Sequence, residues 1–166
     1  MKSDSKINLS VVLNYEDYKK FNRYVNRKTN LIMCIVYFVV IINLMISIYW
    51  KMFTSAYFII SLGSVFVLLY TQITSKVRQK ITFKSNTVLN STQNYSFNEL
   101  GMSIDSEQID DNISWKEILK IEEGKETLYI FLTKNQAFII PFRFINKQDV
   151  IELKNIYYKY ISTSGE

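Results

Sequence analysis

Chemistry-bearing residues are few, and their types exclude more than they suggest. Histidine is absent from all 166 residues. Imidazole acid–base catalysis, Ser-His and Cys-His nucleophile pairs and the usual zinc sites are therefore ruled out. Glu122, Glu123 and Glu126, with Asp110 and Asp111 nearby in sequence, bring enough oxygen for a hard cation but lack calcium-loop spacing. Solvated turns are the better reading. The single cysteine, Cys34, lies in an apolar run with no basic residue beside it to activate a thiol. Sequons at Asn90, Asn94 and Asn112 would matter only on a secreted face. No Gly-rich phosphate loop is present. The expectation is no enzyme activity, no catalytic or metal-ligating residue and no cofactor.

Two uncharged runs dominate what remains. Leu31–Trp50 reads LIMCIVYFVVIINLMISIYW, and a second run covers residues 53–73. Twenty helical residues extend about 30 Å, the thickness of the hydrocarbon core. A signal peptide would have a shorter apolar core and a small-residue cleavage site. The expected arrangement is a transmembrane hairpin over residues 31–75, its antiparallel helices joined by Lys51-Met52. Ser61, Gly63 and Ser64 are expected to allow close helix approach. Asn43, the strongly polar group near mid-span, is expected to hydrogen-bond across the helix pair.

Basic residues flank the hairpin: Lys19, Lys20, Arg23, Arg27 and Lys28 before it, Lys76, Arg78, Lys80 and Lys84 after it, with only Lys51 between. Lys and Arg near a span stay on the cytoplasmic side. The expected localisation is thus the cell membrane, with two spans and both termini cytoplasmic. The nine flanking bases are candidates for contact with anionic lipid. The net charge of +5 does not point to nucleic acid, because residues 85–166 hold eight bases against twelve acids, a net of −4. A nucleic-acid interface gathers its basic charge on the folded domain.

Outside the hairpin the chain reads as alternating strands and one helix. Ile7 to Leu13 suggests a strand, and Asn14 with Asp17 three residues on can cap a helix over Tyr15–Lys28. Tyr95 and Phe97 alternate, Asn98-Glu99-Leu100-Gly101 turns the chain, and Met102 and Ile104 resume. Ile109, Ile113 and Trp115 share a face, with Trp115 expected in the core. Ser114 and Glu117 fit a capping box for a single helical turn. Leu119 and Ile121 open the next strand, and Thr127–Thr133 reads as a central one. Residues 137–140 follow until Pro141, which ends a strand or lies at an edge. Asn146 and Asp149 cap a C-terminal helix over residues 147–161 with Val150, Leu153 and Tyr157 on its apolar face. The fold class is α+β: a transmembrane helical hairpin plus an antiparallel β meander closed by a C-terminal amphipathic helix. Its expected divisions are an N-terminal strand and helix (1–30), the hairpin (31–75) and a soluble domain (76–166).

Val11-Val12-Leu13-Asn14-Tyr15-Glu16-Asp17-Tyr18, Ile113-Ser114-Trp115-Lys116-Glu117-Ile118 and Phe138-Ile139-Ile140-Pro141-Phe142-Arg143-Phe144-Ile145 resemble the YcxB-like family of bacterial membrane proteins. The resemblance implies a pleckstrin-homology-like (PH-like) domain on a two-helix hairpin and brings no catalytic residue with it. Such a domain implies lipid-headgroup recognition when its first hairpin loop is basic. Here Asn98-Glu99-Leu100-Gly101 is taken as that loop, and it carries an acid. The expected function is a non-enzymatic, membrane-anchored adaptor or regulator that contacts lipid and binds another protein; a homo-oligomer is compatible with it. A bacteriocin-immunity or envelope-stress role through the hairpin is the second reading, and an accessory transporter subunit the third.

Overall fold

Alternation makes Ile7–Val12 a strand, β1, whose Ile7, Leu9 and Val11 are buried while Asn8, Ser10 and Val12 face outward. In this computed structural model, which describes residues 7–51 and 56–164, β1 pairs antiparallel with β2 (Thr92–Phe97). Next come β3 (Gly101–Asp105) and β4 (Asp110–Ser114), giving a four-stranded antiparallel sheet in the order β1-β2-β3-β4. Because facing residues point the same way in a pleated pair, Ile7, Phe97, Met102 and Ile113 form one buried row across all four strands. Leu9, Tyr95 and Ile104 form a second.

Three more strands, β5 (Lys120–Glu123), β6 (Thr127–Phe131) and β7 (Ala137–Pro141), make a second antiparallel sheet in the order β5-β6-β7. As its β-branched and aromatic run foretells, β6 is the central strand, and it is buried along its whole length. Pro141 closes β7 at the sheet edge, where its missing N–H leaves no gap in a ladder.

The helix α1 (Tyr15–Val25) sets Phe21 against Tyr129 and Phe131 of β6, with ring centroids 5.7 and 6.3 Å apart. At the C-terminus, α5 (Lys147–Ser164) buries Val150, Leu153 and Tyr157. The Asn146–Asp149 cap forms as expected, with Asp149 N–H donating to Asn146 Oδ1 at 2.8 Å. The core is threaded by a run of rings: Phe138, Tyr95, Phe97, Trp115 and Tyr157, with centroids 5.9–6.4 Å apart. It joins both sheets to α5. Trp115 opens a 3-10 turn, Trp115–Glu117, held by the Ser114–Glu117 capping box.

Three expectations change here. The N-terminal strand is not a separate arm of residues 1–30: one compact unit is Met1–Phe21 with Phe83–Glu166, and the other is Asn22–Thr82. Consequently the first strand pair is β1–β2, and the Asn98–Gly101 loop joins the second pair, β2–β3. The reason is long-range pairing: Leu9 meets Tyr95, a partner no local pattern can point to. Leu119 is also turned outward, and Ile118 takes the inward place beside Ile121.

In the second unit, α2 (Arg27–Tyr49) ends at Trp50 and Lys51, whose φ of 55° is the left-handed conformation that closes many helices. Residues 52–55, including the expected start of the second span at Phe53, lie outside the described residues. From Ala56 the helix α3 continues unbroken to Ser85, carrying Lys76, Arg78, Lys80 and Lys84. Both helices are long and apolar enough to cross a membrane. They are joined by a hydrogen bond from the Tyr37 hydroxyl to Leu68 O at 3.0 Å. Ser61 is buried as expected, but Gly63 is not a contact residue, since a Cβ built there meets nothing within 4 Å. A short helix, α4 (Thr87–Asn90), leads into β2.

Candidate functional site: a charged cleft around Asp17 and Arg143

Asn14 and Asp17 exchange hydrogen bonds at the start of α1, Asp17 N–H to Asn14 Oδ1 at 2.9 Å and Asn14 N–H to Asp17 Oδ2 at 3.0 Å. This reciprocal cap satisfies two orphan donors and aims the Asp17 carboxylate toward the turn after β7. In that turn Phe144 N–H donates to Pro141 O at 2.9 Å, which presents Arg143. Its guanidinium grips Asp17 with both arms, Nη1 to Oδ1 at 2.9 Å and Nη2 to Oδ2 at 2.5 Å. Nη2 also donates to Val12 O at 3.2 Å, at the end of β1.

Around this pair lies a cleft of about 320 Å³, lined by Asp17, Lys20, Glu126, Thr127, Pro141 and Arg143 among others. Lys20 bonds Glu126 across it. The Asp17 side chain is 4% exposed and that of Arg143 44%. Burial would push the Asp17 carboxyl up, but the Arg143 bond, the Asn14 N–H and the charges of Arg143 and Lys20 outweigh it and hold the carboxyl below its usual 3.8. The Lys20 bond likewise lowers Glu126.

These groups are occupied with one another. Both Asp17 oxygens accept from Arg143, so neither is a free base. The geometry is that of a clasp fastening the β1–α1 corner to the second sheet, 126 residues away in sequence. Sequence reasoning found Asp17 only as a cap and did not find Arg143 as its partner.

The residues singled out from the sequence are scattered. Of the nine juxtamembrane bases, Lys19 pairs with Glu16 at 3.1 Å and Lys20 with Glu126. Arg23, Arg27, Lys28, Lys76, Arg78, Lys80 and Lys84 are exposed, and Arg27 stands 5.5 Å from the centroid of the Tyr24 ring. The acids of the β5–β6 hairpin each meet a lysine instead of converging: Glu122 with Lys120 at 2.9 Å, Glu123 with Lys154, Glu126 with Lys20. Trp115 is buried, its indole N–H donating to Asn98 O at 3.1 Å. Asn43 does not make the expected bond across the hairpin. It is exposed on α2, and the longer Tyr37 reaches α3 instead. A buried polar chain went unforeseen: Tyr95 O–H donates to Gln93 Oε1, and Gln93 Nε2–H donates to Val88 O at 2.7 Å. Burial pushes the Tyr95 phenol well above its usual value.

The model of the YcxB-like protein family matches residues 97–156. The chain carries a YcxB-like segment. No curated protein and no solved structure matches. The YcxB-like match runs from the end of β2 through β3–β7 into α5. It takes in the Trp115 block and the Phe138–Ile145 stretch that carried the resemblance, and with them Arg143. Val11–Tyr18, β1 and the two apolar helices fall outside it.

Proposed function

We propose that this protein is a non-enzymatic, membrane-anchored adaptor. Its α2–α3 hairpin spans the bilayer twice with both termini in the cytoplasm, and its PH-like unit binds another protein. The observation that carries the reading is the exposure of α2 and α3: only 6% of the most apolar 18-residue window of each is buried. Core helices of soluble proteins are covered on such faces, and bare apolar area in water is unfavourable by about 25 cal/mol per Å². Lipid supplies the missing cover.

The pairing of β1 with β2 supports this topology, since a chain that leaves a sheet for the membrane and returns to it crosses an even number of times. The basic flanks make the sheet's side cytoplasmic. Four strands, three strands and a C-terminal helix, in that order, support the PH-like assignment. In this arrangement the first strand connection holds α1, α2 and α3 with their basic residues, so anionic-lipid contact is assigned to the exposed members of that set. The surface for a protein partner is the outer face of the first sheet, where Asn8, Ser10, Asn94, Ser96 and Asp105 line a shallow depression of about 430 Å³. Its hydroxyl and amide groups suit hydrogen bonding.

Crosslinking in native membranes followed by mass spectrometry tests this reading. A protein is expected to link to lysines of the sheet unit, such as Lys116 and Lys134. Replacing α2–α3 by an unrelated two-span anchor should leave those links in place. Loss of every such link on that exchange would favour action through the hairpin itself and overturn the adaptor reading.

A further inference from the structure

The helix α2 has two seams of the same spacing, and α3 covers one of them. Met33, Tyr37, Val40, Leu44 and Ser47 follow one another at intervals of four, three, four and three residues. They are the half-buried or buried positions of the helix from Leu31 onward. Ile32, Val36, Val39, Asn43 and Ile46 repeat the same intervals one residue earlier, and every one of them is exposed. A mean repeat of 3.5 residues keeps a narrow stripe facing one partner helix. A second stripe of this kind, rich in Ile and Val, is surplus to the packing of one hairpin.

Asn43 stands in this open seam. It is the only amide side chain between Leu31 and Trp50. Its backbone oxygen accepts the Ser47 hydroxyl at 3.0 Å, but its side chain has no hydrogen-bond partner among the described residues. Acyl chains offer none either, and an unsatisfied amide in hydrocarbon is strongly unfavourable. The amide carries both a donor and an acceptor, so it is complementary to itself. In a bilayer every copy runs in the same direction, so two α2 helices lie parallel with their Asn43 residues at one depth.

We propose that a second copy of this chain pairs along the Ile32–Ile46 seam about a two-fold axis normal to the membrane, each Asn43 amide donating to the other's Oδ1. A lone Asn in an apolar 3.5-residue seam fixes register and favours pairs over larger assemblies. The inference rests on the membrane reading above.

The test uses the full chain, reconstituted at low protein-to-lipid ratio into phosphatidylcholine–phosphatidylglycerol vesicles and recovered by flotation. Val39→Cys or Ile46→Cys, each in a Cys34→Ser background, should form disulfide-linked dimers under mild oxidation. Cys34 of the native chain, nine residues from Asn43 and so on the opposite side of α2, should not. Adding Asn43→Leu to the Val39→Cys chain should weaken dimerisation about tenfold, whereas Asn43→Gln, which keeps the amide, should restore part of it. Floating protein whose Asn43→Leu form dimerises unchanged, or in which Cys34 crosslinks as readily as Val39→Cys, overturns the seam and leaves the membrane reading standing. Protein that fails to float overturns both.

Discussion

Trp115→Ala is expected to lower the stability of the sheet unit by about 3–5 kcal/mol, the range for removing a large buried aromatic side chain. Trp115 is 1% exposed and sits between Phe97, stacked at 6.4 Å, and Tyr157, at 5.9 Å. Its removal opens a cavity where β2, the 3-10 turn and α5 meet, and it strands the Asn98 carbonyl that the indole N–H satisfies. Small domains are stable by only about 5–15 kcal/mol, so the variant should approach its unfolding threshold at growth temperature. Urea unfolding of the full chain in micelles, followed by near-ultraviolet dichroism, gives the measurement. Trp115→Phe keeps the ring contacts and loses the N–H, so its loss should be smaller. A change below about 1 kcal/mol for the alanine variant would show that the ring series is not the keystone of the core.

Arg143→Ala should be the next most damaging change, by about 2–3 kcal/mol. Removing one partner of a buried pair leaves the other charge uncompensated, worth 3–5 kcal/mol when both are buried; the half-exposed guanidinium reduces this. The signature lies in the pH dependence. In the native chain the Asp17 carboxyl is held below 3.8, so it contributes stability that is present above that value and fades as pH falls through the lower folded one. Without Arg143, burial pushes the same carboxyl up, and the variant suffers most where Asp17 is ionised. Thermal unfolding from pH 7 to pH 3 should therefore show a gap between native and variant chains that is widest near neutrality and narrows in acid. A gap independent of pH would mean that Arg143 acts through packing on Phe144, 4.6 Å from its ring centroid, instead of through charge.

What was legible in the sequence was local. The caps at Asn14, Ser114 and Asn146, the turn after Asn98, the start of the central run at Thr127 and the stop at Pro141 each depend on neighbours within a few residues, and each lies where the local pattern puts it, although the central strand ends at Phe131 and not at Thr133. What was hidden was long-range. Nothing near Leu9 announces that Tyr95 lies opposite it, and nothing near Asp17 announces Arg143. Gly101 illustrates the limit well: it reads as a turn residue, yet its strictest duty is to let β3 approach β4, since a Cβ there would fall 2.1 Å from Ile113 O. Gln93 is a polar residue on the inward face of β2, in line with Tyr95 and Phe97. It is buried because α4, too short to be seen in the sequence, offers it the Val88 carbonyl.

The proposed topology has α2 and α3 cross the bilayer between strands that pair on its inner side. Single cysteines at Glu16, Lys51 and Lys134, each in a Cys34→Ser background, probe it directly with a membrane-impermeant maleimide. In intact cells Lys51→Cys should be labelled, while Glu16→Cys and Lys134→Cys should react only after the membrane is opened. Labelling of either of these two from outside, or of one but not the other, would contradict the account, because β1 and β2 could not then lie side by side beneath the same leaflet.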